Sequence, residues 1–127
     1  MRGRKPQLVV SNDAVQRVPA PPAWLSKPAK DEWRRVMPDL VERRILTDAD
    51  MGSLENYCVA QGCVRKAAQA LQRADDPDLI LKLFRMQDKA MQTARQLAAE
   101  LGLTPVSRSR PSMREDNDDS DDPLDLS

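Results

Sequence analysis

The chain has 127 residues, sets 20 Lys/Arg against 20 Asp/Glu, and contains two Trp, one Tyr, one Phe, two Cys and no His. That length suits a single domain, and a core with so few large side chains is marginal unless something supports it. A histidine-free chain with Cys58 and Cys63 five residues apart, about 140° around a helix, excludes a structural metal site and a local disulfide; both cysteines read as small core fillers in a reducing compartment. No apolar run approaches the roughly 20 residues of a membrane helix, and nothing resembles a signal peptide, so the expectation is a soluble protein inside a cell, with no membrane partner. The zero net charge hides a gradient: residues 1–46 hold ten Lys/Arg against five Asp/Glu, 47–101 hold seven against eight, and 102–127 hold three against seven. A basic front can face phosphate and an acidic tail cannot.

Residues 1–22 read as a disordered basic arm. Arg2, Arg4 and Lys5 flank Gly3 beside Pro6, the composition of an extended segment that contacts phosphates or reaches a minor groove. Pro19, Pro21 and Pro22 stiffen its end. Trp24-Leu25 is expected to pack just before the first helix. Ser26 is a good N-cap, with Pro28 in the first turn. Ala29, Trp33, Val36, Met37, Leu40 and Val41 then form an apolar stripe, with Trp33 as its anchor, and Pro38 is expected to kink or break the helix after Met37. Lys27, Lys30, Arg34 and Arg35 fall mostly on the opposite face, diluted by Asp31 and Glu32, while Arg43 and Arg44 suit the dipole at the helix C-terminus. These cations, with Arg2, Arg4 and Lys5, are the candidate DNA contacts.

Thr47-Asp48-Ala49-Asp50 reads as a capping box with Asp50 in place of the usual Glu. A helix carrying Leu54, Tyr57, Cys58, Val64, Ala67 and Leu71 on one stripe follows. Asp75-Asp76-Pro77 ends it and starts the next, since acids and proline both suit a helix N-terminus. The second stripe runs through Ile80, Leu83, Phe84, Met91, Ala94, Leu97 and Leu101 to Gly102, the expected left-handed C-cap, and Pro105 prevents continuation. The pair is an antiparallel αα-hairpin. Gln61 and Gln87 lie on its stripes, where an amide pairs across the hairpin, fixes register between subunits, or sits just off the seam in water. Gly62 permits a close helix approach. An alanine-rich hairpin covers little area, so oligomerisation is the expected support, with Leu54, Tyr57, Gln61, Val64, Leu71, Leu83, Phe84, Gln87, Met91 and Leu97 as its candidate residues. The tail, 104–127, has too few apolar side chains to fold; its acidic run ends in Leu124 and Leu126, candidate docking residues for a protein partner.

The expected fold is therefore all-α: a small helix-turn-helix-like part and a long αα-hairpin within residues 23–103, between the arm and the tail. There is no glycine-rich phosphate loop and no metal-ligand spacing, and helix N-terminal charge accounts for Asp75, Asp76 and Asp78. The expectation is a protein that is not an enzyme and uses no cofactor or metal.

The order of motifs resembles the small terminase subunit of tailed bacteriophages, in the family with a Gly-Arg-Lys-Pro N-terminus. Four stretches carry the resemblance: Gly3-Arg4-Lys5-Pro6; Pro21 to Ser26 with Ala29, Lys30 and Trp33; Leu46 to Asp50 with Leu54, Tyr57 and Cys58; and Leu97 with Glu100 to Arg108. The acidic tail lies outside the pattern. The resemblance implies a non-enzymatic packaging factor acting in the host cytoplasm. It would form a ring of more than two subunits, recognise double-stranded viral DNA, and hand it to the terminase large subunit, which carries the ATPase and nuclease. A helix-turn-helix transcription regulator or antitoxin-like repressor, acting as a dimer on a palindromic operator, fits the same outline, and an adaptor without a DNA role is a third reading.

Overall fold

A computed structural model describes residues 17–44 and 46–104; the arm residues Arg2, Arg4 and Lys5, and Leu124 and Leu126 of the tail, lie outside them. Within that range the protein is all-α. Helix α1 spans Lys27–Glu42, a 3-10 turn spans Asp48–Asp50, α2 spans Met51–Arg73 and α3 spans Pro77–Glu100.

The helix ends follow their local chemistry. Ser26 Oγ accepts the Ala29 amide at 3.3 Å at the start of α1, and the Asp76 carboxylate accepts the Leu79 amide at 3.0 Å at the start of α3, with Pro77 behind it. The predicted capping box closes: the Asp50 carboxylate accepts the Thr47 amide at 2.9 Å and the Thr47 hydroxyl at 3.1 Å. It caps the 3-10 turn, and α2 proper starts one residue later. At the far end Gly102 adopts φ 74°. The Leu103 amide returns to the Ala98 carbonyl at 2.8 Å and the Gly102 amide to that of Ala99 at 3.2 Å, the paired bonds of a Schellman ending. Arg44 closes α1 in the left-handed region at φ 58°, a place where glycine is usual.

Of the kink or break expected at Pro38, the break does not occur; the helix continues to Glu42. Met37, just before the proline, and Leu40, two residues after it, are fully buried. Packing there offsets the lost backbone hydrogen bond and the crowding of the ring against the preceding turn, together about 3 kcal/mol in a helix interior.

Helix α2 is the central element. Helix α1 packs along one side of it, from Ala29 against Gly62 to a core of Trp33, Met37, Leu40, Leu46, Leu54 and Cys58. Helix α3 packs on another side through Ala94 and Ala98, which join the same core with Leu101. The Trp33 indole donates to the Pro19 carbonyl at 2.8 Å, tying the incoming chain to α1. Arg43 donates to the Gly102 carbonyl at 2.8 Å, pinning the end of α3 to the end of α1. Only half of the Trp24-Leu25 pair packs: Leu25 is buried, while Trp24 is 63% exposed. Of the cysteines, Cys58 fills the core, where burial pushes its thiol up to about 12; Cys63 is exposed instead.

Candidate functional site

Where α1 and α2 meet, the otherwise apolar core holds one charged side chain. Glu32 lies three residues after Ala29 and four before Val36, on the edge of the apolar stripe, and its side chain is completely shielded from solvent. The sequence reading that placed it on the solvent face, diluting the basic residues, is corrected here. Three side chains surround the carboxylate and give it four hydrogen bonds. Arg35 donates through Nε at 2.9 Å and Nη2 at 2.5 Å. The Tyr57 hydroxyl donates at 2.5 Å, and Arg65 donates through Nη2 at 2.6 Å. Burial on its own would push the Glu32 carboxyl up. The hydrogen bonds from Arg35 and Tyr57 and the charges of Arg35 and Arg65 outweigh it, and hold the carboxyl below its usual range. Burial, then the bond to Glu32, pushes the Tyr57 phenol above its ordinary value. The buried anion is thus compensated by two guanidinium groups that both reach the surface.

The network sorts the candidate cations. Lys27 pairs with Asp31 at 3.2 Å, and Arg34 approaches the same carboxylate at 3.7 Å. Arg35 is spent on Glu32, and Arg43 on Asp39 and the Gly102 carbonyl. Lys30 has no ion pair among the described residues, and Arg44 is exposed. The basic face of α1 is real, but most of its charge is already matched within the helix. Sequence reasoning missed Arg65, which lies on the Leu54–Cys58 face of α2 and reaches under α1 to Glu32. With Lys66 and Gln69 it faces Lys27, Pro28 and Asp31 across a concavity of about 400 Å³. A second, of about 460 Å³, lies between Arg35, Asp39, Tyr57 and the chain leaving α3 at Leu103 and Thr104.

The candidate association residues fall into three groups. Leu54 and Tyr57 are buried in the protomer's own core. Gln61, Val64, Leu71, Leu83, Gln87 and Leu97 are half-buried along the helices; Gln87 donates to the Val64 carbonyl at 3.2 Å, an amide used across the hairpin within one chain. Phe84 and Met91 are exposed. From Pro77 to Met91 no residue of α3 is buried, although this stretch carries Leu79, Ile80, Leu81, Phe84, Met86 and Met91, all exposed. Ile80, Phe84 and Met91 share one face at helical spacing.

A family model described as phage terminase, small subunit, matches residues 29–118. The chain belongs to that family. The match begins after the Gly3–Pro6 and Pro21–Ser26 motifs and runs into the acidic stretch, which the sequence reading had set outside the family pattern. Neither a curated protein nor a solved structure matches the chain. Among the described residues of this small terminase subunit, no helix is long and apolar enough to cross a membrane, and no three His, Cys, Asp or Glu side chains are grouped so as to hold a metal ion.

Proposed function

We propose that this small terminase subunit initiates genome packaging in the host cytoplasm as a non-enzymatic, duplex-DNA-binding ring of more than two copies that recruits the large ATPase-nuclease subunit. The family match over residues 29–118 carries the reading. Two features of the chain support it. The uncovered apolar face of α3, with Ile80, Phe84 and Met91, offers the association surface that a small, aromatic-poor core needs. The excess of cations in residues 1–46 offers the electrostatic footprint of a duplex binder.

Native mass spectrometry of the full chain, with and without a duplex, tests both parts. The expected species has more than two subunits and takes up duplex in a salt-dependent way. A monomer at micromolar concentration removes the ring. A dimer that prefers a palindrome turns the reading toward a helix-turn-helix regulator. Phe84→Asp is the informative variant for association: it places a charge on an exposed side chain, whereas Asp at the half-buried Leu83 or Leu97 would also disturb the hairpin itself.

A further inference from the structure

We propose that the concavity between the start of α1 and the middle of α2 is a seat for a backbone phosphate of duplex DNA, with Arg65 and Lys66 as its contacts and Gln69 as a neutral donor. It deepens the DNA-binding reading above and rests on it. The argument begins at Gly62. A Cβ there would lie 3.1 Å from the Ala29 backbone nitrogen, so the glycine lets α1 approach α2 more closely than a side chain would permit. One turn further on, Arg65 reaches the first turn of α1, where its Nη1 donates to the Pro28 carbonyl at 3.3 Å and its Nη2 to Glu32 at 2.6 Å. Those two bonds fix the guanidinium plane while using only two of its five N–H groups. The side chain is 36% exposed, so the remaining donors are held in place at the wall of the concavity.

An arginine immobilised in this way has already lost the rotamer freedom that binding would otherwise cost, and its planar fork matches a phosphate. Lys66 adjoins it and has no ion pair among the described residues, leaving a full charge at the rim. Gln69 follows Arg65 by four residues, on the same face of α2. Lys27 closes the opposite side. The one carboxylate on the wall, Asp31, already faces Lys27 at 3.2 Å and Arg34 at 3.7 Å. Three cations thus line a space of about 400 Å³; Lys27 is matched by Asp31 and Arg65 by Glu32, and Lys66 adds a charge that no described carboxylate offsets. No sequence candidate on α2 was assigned to DNA, yet the cations of α1 are largely internally paired, and Lys66 is not.

The test uses the full chain and a labelled duplex of random sequence, titrated over a range of salt. Lys66→Gln, which leaves the Glu32 network intact, is expected to weaken binding about tenfold at low salt. It should also reduce the slope of log K against log salt by about one unit, the signature of one lost phosphate contact. Arg65→Lys, which keeps the charge but loses the fork, is expected to weaken binding as well; because it touches Glu32, its melting curve is recorded alongside. Wild-type affinity and slope for Lys66→Gln, with loss of both in a triple Arg2, Arg4 and Lys5 neutralisation, overturns the seat and leaves the DNA-binding reading standing. A wild-type chain that binds no duplex at any salt overturns both. A synthetic 115–127 peptide that binds through Lys66, with duplex affinity unchanged in Lys66→Gln, assigns the concavity to an acidic peptide and also overturns the proposal.

Discussion

Replacing each of two helical glycines by alanine should give opposite results. In Gly62→Ala the new Cβ meets Ala29 at 3.1 Å from its nitrogen, 3.2 Å from its Cβ and 3.3 Å from its Cα. Ordinary contact begins near 3.4 Å, and two of those atoms are backbone, so no rotamer change relieves the clash and α1 must move by a few tenths of an ångström. Overpacking of this kind costs about 1–3 kcal/mol. The same substitution gains up to about 1 kcal/mol of helix propensity. Movement of α1 also lengthens the bonds from Arg65 and Tyr57 to Glu32, which adds to the cost, so the net expectation is a loss of about 1–2 kcal/mol. Gly52 has no atom within 4 Å of its would-be Cβ, and there alanine should gain about 0.5 kcal/mol, the lower end of the propensity difference because the site is in the first turn. With about 4–8 °C per kcal/mol for a domain of this size, the two variants should melt on opposite sides of wild type in far-UV circular dichroism at fixed protomer concentration. Gly62→Ala melting at or above wild type would refute the close approach of α1 and α2, and with it the placement of Arg65.

Glu32→Gln should cost about 2 kcal/mol in urea unfolding, below the about 3–5 kcal/mol of a fully buried broken pair, because Arg35 and Arg65 can regain water; an unchanged midpoint would show that the network contributes nothing. Stability should also depend on pH at both ends. The lowered Glu32 carboxyl contributes above its unfolded value of 4.5 and that contribution fades as pH falls through the folded value, while the raised Tyr57 phenol contributes below 10.0 and is lost as pH rises toward its folded value. A plateau between those limits, read from melting temperatures across pH, is expected, with Tyr57→Phe flattening the alkaline side. Deleting 115–127 should leave assembly intact and abolish stimulation of the large subunit, through loss of Leu124 and Leu126 and of the acidic run that steers the encounter; tighter duplex binding with normal stimulation would instead mean that the tail shields the basic front.

Most of the helical frame was legible because its signals are local. Ser26, Asp76-Pro77, Thr47 with Asp50, and Gly102 each act within one turn of themselves, and each closes a helix where its chemistry requires. The two failures in α1 have one cause. Pro38 and Glu32 were both judged by local rules, and both are governed by what α2 brings against them. A proline inside a helix is tolerated when Met37 and Leu40, in the same turn, are fully buried. A glutamate at the edge of an apolar stripe is buried when Tyr57 and Arg65, 25 and 33 residues away, supply its donors. The signal for Glu32 was present in its spacing from Ala29 and Val36, but a charged residue at a stripe's edge reads as solvated until its partner is known. The basic candidates were legible as a set, not as individuals, since ion pairing within α1 depends on rotamers that composition does not encode.

The lengths of the helices account for how the apolar surface is divided. At about 1.5 Å per residue, α1 is roughly 24 Å long, while α2 and α3 are roughly 35 Å each. The first turn of α1 lies beside Gly62, Arg65, Lys66 and Gln69, so the last turn of α2 and the facing start of α3 lie past its end. Both buried residues of α3, Ala94 and Ala98, lie near its C-terminal end, where α1 completes the core, and every exposed large apolar side chain of α3 lies between Leu79 and Met91. The near end of the hairpin therefore has what a monomer needs, and the far end lacks a cover. Two kinds of substitution should separate accordingly: those at Trp33, Leu54 or Glu32 lower stability at any concentration, and those at Ile80, Phe84 or Met91 make it depend on concentration. Because Lys66 and Gln69 stand at the boundary between the two ends, a neighbouring copy covering the far end of one protomer would lie beside its proposed phosphate seat. On the ring reading, association and DNA contact then use adjoining surfaces of α2, and the Glu32 network, held by α1, keeps Arg65 at that boundary without help from the neighbour.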